Sequence, residues 1–241
     1  NVLEKTKMLV LNLKMNFSAE SIKKYETFIK NKEVIVLPQF PYLLFFRNGL
    51  YSLGSQNVSK FSKGSYTGEV CAKALKGLGV KYCLVGHSER KEYFYETIND
   101  FRMKITNLND VGIIPIYCIN QTRDEYENDS DLKNIENQLE GIPNYVKYIV
   151  VAFEPSWMIG GNEEELDIGH INNVLIRIKS YLMERNIGHS ILYGGGVDSS
   201  NIEVLKKLSC NDGFIVSSSA MNLEELEKIY NNLKSKAISD L

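Results

Sequence analysis

Cysteine is scarce in this sequence, and the few cysteines show no spacing that would give them a structural role. The 241 residues contain four, Cys71, Cys83, Cys118 and Cys210, without a CxxC pair or histidines at ligand spacing. Zinc sites and disulfide frameworks depend on such spacings, so the sequence predicts no metal site and no disulfide framework. Scattered free thiols are typical of a reducing compartment, and we expect a cytoplasmic protein.

Long apolar runs and an excess of charge are also missing. No stretch approaches the roughly 18 consecutive apolar residues of a membrane-spanning helix, and residues 1–16 lack the apolar core of a signal peptide. The 28 basic and 30 acidic residues give a net charge of -2, which provides no broad basic surface for nucleic acid or an anionic membrane. We therefore expect a soluble protein with neither of these partners.

The residues that are present indicate an α/β barrel. Short β-branched runs alternate with longer segments of helical apolar spacing, a pattern typical of consecutive βα units around a parallel sheet. Eight strands can be counted, and eight strands close a barrel, so we predict a single (β/α)8 TIM-barrel domain over residues 1–241. The predicted strands are Met8–Leu13, Val34–Leu37, Tyr51–Ser55, Tyr82–Val85, Ile113–Cys118, Ile149–Phe153, Ser190–Tyr193 and Asp212–Val216, and the clearest predicted helices are Ala19–Asn31, Ser130–Glu140, Ile168–Arg185 and Leu223–Lys236.

Two polar residues end the first predicted strand. In such barrels the chemically active side chains lie where strands end and loops begin. Asn12 and Lys14 alternate with apolar Leu11 and Leu13, so the period of two directs both polar side chains to the same side, into the barrel mouth. Polar side chains in that position indicate a ligand. The alternative is that Lys14 is a surface lysine at the end of a strand.

A histidine follows the fourth predicted strand in the segment GHSER, residues 86–90. Ser88 and Glu89 are predicted to cap the helix that follows. His87 would then meet the positive end of that helix, which lowers the pKa of the imidazole and produces a neutral hydrogen-bond donor. The alternative is that His87 is a capping residue without a chemical role.

A single carboxylate, that of Glu154, follows the apolar sixth strand. A carboxylate delivered into apolar surroundings is either paired or used as a base. The residues after it predict a hinged lid with a stiff start, an apolar tip and a flexible far end, against the alternative of an ordinary loop with an apolar plug. The lid residues are Pro155, Ser156, Trp157, Met158 and Ile159, followed by Gly160 and Gly161.

Two further loops suit an anion. Glycines 194–196 follow the seventh predicted strand and serines 217–219 follow the eighth, and barrels commonly hold phosphate in these two loops. Backbone N–H groups bind phosphate oxygens there without any need for net positive charge.

Taken together, the motifs resemble the triosephosphate isomerase family over nearly the whole chain. The matching segments, in family order, are NLKMN (12–16), PQFPYL (38–43), SQNVS (55–59), GSYTGEV (64–70), GHSERK (86–91), FEPSWMIGG (153–161), YGGGV (193–197) and DGFIVSSSAM (212–221). The resemblance implies an aldose–ketose isomerase of glycolysis and gluconeogenesis that interconverts dihydroxyacetone phosphate and glyceraldehyde 3-phosphate through an enediolate, without a cofactor.

The resemblance also implies roles for particular residues. Asn12 and Lys14 would hold and polarise the substrate, His87 would be the electrophile and Glu154 the base. Ser88 and Glu89 would support them. The family works as a homodimer, and a loop that resembles the family's intersubunit loop consists of Tyr66, Thr67, Gly68 and Glu69.

Departures from the family pattern concentrate on the phosphate loops. The family usually reads YGGS, VGGAS, CIGE and GHSERR, whereas this chain has Gly196 for the first serine, Ser217 and Ser218 for the glycine pair, CINQ at 118–121, and Lys91. Serine adds a Cβ atom, which is strained where φ is positive. We expect a retained but reshaped phosphate pocket formed by Gly160, Gly161, Gly196, Ser217 and Ser218.

Two other functions remain open at this point. The altered phosphate loops leave room for a non-catalytic or weakly active member of the family that acts as a binding protein. A barrel enzyme of another kind, such as a Schiff-base aldolase, would need a lysine such as Lys14 inside a central strand.

Overall fold

Eight parallel strands close into one barrel in the computed structural model, which describes residues 6–128, 132–158 and 166–234. Each strand pairs with the next strand in chain order, and the eighth pairs with the first. The (β/α)8 prediction is therefore confirmed. The strands are β1 (Met8–Asn12), β2 (Ile35–Leu37), β3 (Ser52–Ser55), β4 (Tyr82–Val85), β5 (Ile114–Gln121), β6 (Tyr148–Pro155), β7 (Gly188–Tyr193) and β8 (Gly213–Val216).

The strand ends at the barrel mouth differ from the predicted ends. Strands β5 and β6 run past their predicted ends to Gln121 and Pro155, which pair with each other. Strand β1 instead stops at Asn12, because Lys14 has a left-handed backbone with φ 47°. The mouth is thus built from strands of unequal length.

Helices connect the strands on the outside of the barrel. Among the described residues they are α1 (Ala19–Ile29), α2 (Ala72–Gly77), α3 (Ser88–Phe94), α4 (Ile98–Val111), α5 (Arg123–Asn128), α6 (Lys133–Leu139), α7 (Ile168–Glu184), α8 (Ile202–Leu205), α9 (Ser218–Met221) and α10 (Leu223–Lys234), with 3-10 turns at Phe40–Phe45 and Ser156–Met158. The predicted start at Ser130 and the predicted end at Lys236 lie outside the described residues. No helix within the described ranges has the length and apolar character needed to cross a membrane.

Helix α4 is missing from the predicted helices although its sequence carries both end signals. Thr97 and Asp100 form a capping box at its start, and Gly112 ends it with φ 70°. Its buried face includes Phe101 and Lys104, and the lysine interrupts the apolar pattern. A buried lysine in the apolar stripe therefore hides this helix from a search for hydrophobic periodicity.

The barrel interior follows the two-residue period of the strands. Val150 and Ala152 on β6 face a small apolar cluster inside the barrel, whereas Val151 and Phe153 pack in the larger core between the sheet and the helices. The next inward position on β6 is Glu154. Strand alternation therefore delivers this carboxylate to the mouth of the barrel.

Barrel closure depends on close backbone contact between β8 and β1, and a Gly213→Ala substitution tests it. A Cβ atom at Gly213 would lie 2.2 Å from the carbonyl oxygen of Met8. We expect the substitution to lower the free energy of unfolding by about 1–3 kcal/mol or more, because two paired strands must separate. Gly77→Ala is the control, since a Cβ atom there meets nothing within 4 Å. Chemical denaturation measures both variants, and equal stabilities would contradict the prediction.

Candidate active site

On three strands, the last inward-facing side chain at the mouth of the barrel is polar. Asn12 follows Val10 on β1, Asn120 follows Cys118 on β5, and Glu154 occupies the same layer on β6. All three polar side chains are buried. Because a buried polar group is costly unless it is paired, this layer indicates a site rather than packing.

The position of Lys14 at the mouth does not follow from the alternation of side chains along β1. The strand has already ended, and the left-handed backbone at Lys14 lets its N–H donate to Asn12 Oδ1 at 3.3 Å. Its carbonyl oxygen accepts from the Gln56 side-chain amide at 2.8 Å, and its Nζ lies 2.6 Å from Glu89 Oε1. The alternation argument for Lys14 was therefore wrong, although Asn12 and Lys14 do line one cavity.

His87 is the N-cap residue of α3. Its Nδ1 accepts from the Glu89 N–H at 3.3 Å, while Ser88 is already the first residue of the helix. The prediction that Ser88 caps the helix was wrong, because the chain enters the helical conformation one residue earlier. With Nδ1 as an acceptor, neutral His87 carries its proton on Nε2.

The His87 ring meets the Glu154 carboxylate in the interior of the site. His87 Nε2 lies 3.4 Å from Glu154 Oε2, and both side chains are buried. Burial lowers the pKa of His87, but the carboxylates of Glu154 and Glu89 outweigh it and hold the pKa above its ordinary value. The prediction that the helix lowers the pKa of His87 was therefore wrong, because the sequence alone does not show that the carboxylates of Glu154 and Glu89 lie beside the His87 ring.

Glu154 is a buried carboxylate that stays ionised. Burial raises its pKa, but His87, the Cys118 thiol and Lys14 together hold the pKa of Glu154 below its ordinary value. Its Oε1 is buried and has no hydrogen-bond partner among the described residues. An ionised carboxylate with one unpaired oxygen is suited to accept a proton.

A cavity of about 430 Å³ opens at the mouth beside His87. Its lining includes the polar side chains of Asn12, Lys14, His87 and Glu89 and the aromatic side chains of Phe40 and Phe94. The cavity therefore has room for a small polar ligand.

The start of the predicted lid packs against the barrel body. Trp157 stacks on Tyr126 with ring centroids 4.2 Å apart, and its indole N–H donates to Gln121 Oε1 at 3.4 Å. Met158 is also buried. The predicted apolar tip of Trp157, Met158 and Ile159 therefore has its first two side chains buried, with Trp157 beside the end of β5. Ile159, Gly160 and Gly161 lie outside the described residues.

Two residues that follow the predicted lid in the chain, Asp167 and His170, contact the same side chains as Trp157. His170, in the first turn of α7, lies with Nε2 2.8 Å from Gln121 Oε1. Tyr126 donates its hydroxyl to Asp167 Oδ2 at 2.9 Å. Gln121 therefore contacts residues from both ends of the segment, a role that the CINQ motif alone did not reveal.

The candidate phosphate loops approach the lid start and each other. Gly196 has φ 68°, and a Cβ atom there would lie 2.6 Å from the Met158 carbonyl oxygen. Ser219 donates its hydroxyl to the Val197 carbonyl at 2.5 Å, which ties loop eight to loop seven. Neither Ser217 nor Ser218 has a positive φ. The condition for strain at these two serines is therefore not met.

The predicted intersubunit loop is exposed. Tyr66 stacks on Phe61 with ring centroids 3.7 Å apart, and the loop lines a second cavity of about 470 Å³ together with Arg90 and Phe94. Thr67, Gly68 and Glu69 are exposed beside it.

Three polar residues at the mouth carried no predicted role. The Gln56 side-chain amide donates to the carbonyl oxygens of Lys14 and Leu37. The Lys91 ammonium donates to Asn120 Oδ1 at 2.6 Å. Gln56 belongs to the matched segment SQNVS, and the other two are departures from the family pattern. Their positions in motifs were therefore visible, but their contacts were not.

The closed barrel and its ionisable mouth place this chain among the (β/α)8-barrel enzymes. A family model described as "Triosephosphate isomerase" matches residues 7–233. The chain is 35% identical over 240 residues to the triosephosphate isomerase of Ureaplasma parvum serovar 3, covering 95% of this chain and 100% of that relative. It is 31% identical over 251 residues to that of Buchnera aphidicola subsp. Baizongia pistaciae, covering 95% and 99%. The chain belongs to the triosephosphate isomerase family.

The contact between Gly196 and the lid start can be tested through Trp157, the one tryptophan of the chain. We expect Gly196→Ala to shift the tryptophan emission, because the new Cβ atom pushes on the Met158 carbonyl next to it. Gly79→Ala is the matched control, since Gly79 also has a positive φ but no atom within 4 Å of the added Cβ. The same emission spectrum in both variants would disprove the contact.

Proposed function

We propose that this protein interconverts dihydroxyacetone phosphate and glyceraldehyde 3-phosphate by proton transfer through an enediolate, as an aldose–ketose isomerase of glycolysis and gluconeogenesis. The observation that carries the proposal is the buried contact between Glu154 and His87 beside Lys14. Such a site needs no organic cofactor, because a base and hydrogen-bond donors suffice for this chemistry.

Glu154 is the base. Its carboxylate takes a proton from C1 of dihydroxyacetone phosphate, and the electrons of the C–H bond form the double bond of the enediolate. The same carboxyl group then returns the proton to C2, which gives the aldehyde. The absence of a hydrogen-bond partner for Oε1 among the described residues supports this role, because a free lone pair is available to the substrate.

Lys14, Asn12 and His87 stabilise the charge that develops on the substrate oxygens. Glu154 raises the pKa of His87 only while its own carboxylate is charged. Once Glu154 holds the substrate proton, burial dominates and favours neutral imidazole. His87 is then a neutral donor through Nε2 that moves a proton between the two oxygens. Ser88 and Glu89 support this arrangement, Glu89 through its ion pair with Lys14 and through its backbone N–H, which donates to His87 Nδ1.

The phosphate group lies between the lid and loops seven and eight. Backbone N–H groups would bind it, and the serine hydroxyls replace the donor that Gly196 lacks. Closure of the lid excludes water, which strengthens the electrostatic interactions and protects the enediolate. The predicted phosphate residues are Gly160, Gly161, Gly196, Ser217 and Ser218.

The geometry favours this function over the two alternatives. A silent binding protein was suggested by the altered phosphate loops, but neither Ser217 nor Ser218 has the positive φ that would strain those loops. A Schiff-base aldolase needs its lysine inside a strand, and Lys14 follows the end of β1.

The base assignment is tested by Glu154→Gln in a coupled assay that starts from glyceraldehyde 3-phosphate. We expect kcat to fall by a factor on the order of 10² to 10⁴, because the amide cannot accept the proton. Glu92→Gln on the exposed face of α3 is the control and keeps the wild-type rate. A folded wild-type protein without activity, or a Glu154→Gln variant with full activity, would refute the proposal.

We also propose that the protein is a cytoplasmic homodimer, joined around the loop of Tyr66, Thr67, Gly68 and Glu69. Phe94 and Tyr95 line the same cavity as this loop, and Phe94 also lines the cavity at the mouth together with Met15 and Tyr93. All four side chains are exposed, and contiguous apolar patches on a protein surface mark interaction sites. All four cysteines have free thiols, which supports a reducing compartment.

The dimer is tested by Met15→Lys against Met183→Lys. Both methionines are exposed, but only Met15 lies in the apolar patch beside the mouth. We expect Met15→Lys to shift the protein toward monomer, since a buried ammonium at the interface is costly. Sedimentation velocity at micromolar concentration measures the shift, and a monomeric wild type or an unaffected Met15→Lys dimer would argue against this interface.

A further inference from the structure

The ammonium group of Lys91 is held by neutral oxygens beside the site. Its Nζ lies 2.6 Å from Asn120 Oδ1, 2.9 Å from Gln138 Oε1 and 3.4 Å from the Cys118 carbonyl oxygen. Burial lowers the pKa of Lys91 to about 8. A half-buried cation with neutral hydrogen-bond partners contributes little net stability, so stability does not explain why a lysine lies here.

Lys91 connects the two elements that carry the proton-transfer pair. It stands one helical turn after His87 on α3, and its N–H donates to the His87 carbonyl at 3.3 Å. Its ammonium reaches across to Asn120 on β5. Asn120 pairs in register with Glu154, and its Nδ2 donates to the Glu154 carbonyl at 3.4 Å. A continuous path of contacts therefore runs from His87 through Lys91 and Asn120 to Glu154.

The orientation of Asn120 is fixed from both sides. Its backbone N–H donates to Gln138 Oε1 at 3.0 Å, and its carbonyl accepts from Gln138 Nε2 at 2.7 Å. An ammonium group only donates hydrogen bonds, so Lys91 requires the oxygen of the Asn120 amide to face it. The amide nitrogen must then face the Glu154 carbonyl. Lys91 therefore determines which end of the Asn120 amide touches β6.

The sequence departures support a joint role for these residues. The family motifs usually read GHSERR and CIGE, and this chain has lysine at 91 and asparagine at 120. These two departures meet in the shortest contact of the Lys91 ammonium. Neither the catalytic roles proposed above nor the packing of the apolar core accounts for that contact.

We propose that Lys91 is a positioning residue, which acts through Asn120 to hold the end of β6 and thereby the distance between Glu154 and His87. The proposal rests on the proposed isomerase function. Lys91 does not touch the substrate, and it takes no part in proton transfer. Its effect is on the geometry of the base.

The first test compares Lys91→Met and Lys91→Arg with the wild-type protein. We expect Lys91→Met to lower kcat on the order of 10-fold with KM within about twofold, because misplacement of the base weakens the chemical step more than binding. Lys91→Arg keeps a cation and restores most of kcat. Lys81→Met, on an exposed lysine, is the control and keeps wild-type kinetics.

The pH dependence separates positioning from a merely structural role. The ionisable groups around Lys91 are Cys118 on β5, Glu154 on β6 and Glu125 on α5. Because the pKa of Lys91 is lowered to about 8, wild-type kcat should decline as pH rises past that value. Lys91→Arg should lack this decline, since guanidinium stays charged. A structural role alone would change stability and leave the shape of the profile unchanged.

A double-mutant cycle with Asn120→Ala tests the path. If Lys91 acts through Asn120, the double variant loses no more kcat than the more impaired single variant. If Lys91→Met fails to fold, Asn120→Ala and the Lys91→Arg pH profile still decide the question. An active wild type with additive losses, or with unchanged kcat in Lys91→Met, overturns this inference alone. A silent wild type overturns the proposed function and this inference with it.

Discussion

The buried contact between the His87 imidazole and the Glu154 carboxylate is the constraint around which the mouth of the barrel is organised. Removing an ion from water costs on the order of several kcal/mol, and only well-placed partners offset that cost. Glu154 has such partners in His87, Cys118 and Lys14, yet its Oε1 has none among the described residues. The cost of removing Oε1 from water is therefore not offset locally, and the stability of the rest of the fold must offset it. This unpaired oxygen lies where the proposed reaction requires a proton acceptor.

The barrel meets this constraint with two kinds of element. Strand alternation places Asn12, Asn120 and Glu154 in one inward-facing layer, and those positions follow from backbone geometry. His87 and Lys14 instead come from strand ends, where a helix cap and a left-handed residue aim the side chains. The fixed layer supplies the base, and the connecting segments supply the groups that surround it.

This division explains how much the sequence could predict. The short apolar runs were enough to count the strands and to place Glu154 at the end of the sixth strand, because such runs are formed by neighbouring residues in the chain. The pKa of His87 depends on carboxylates that the fold brings to its ring, and the position of Lys14 depends on Gln56 and Glu89. The sequence alone does not show which distant side chains the fold brings together, so these two properties were predicted wrongly.

The same reasoning explains where the chain can depart from its family. A proton passes between groups only at hydrogen-bond distance, so the residues at the reacting atoms allow little substitution. Residues around them supply hydrogen bonds, and a different donor or acceptor can supply the same bond. Gln121 accepts from the indole of Trp157 and contacts the ring of His170 through one oxygen, and Asn120 offers an amide to Lys91. A departure at one such position is therefore tolerated when the group that it contacts is satisfied by the replacement.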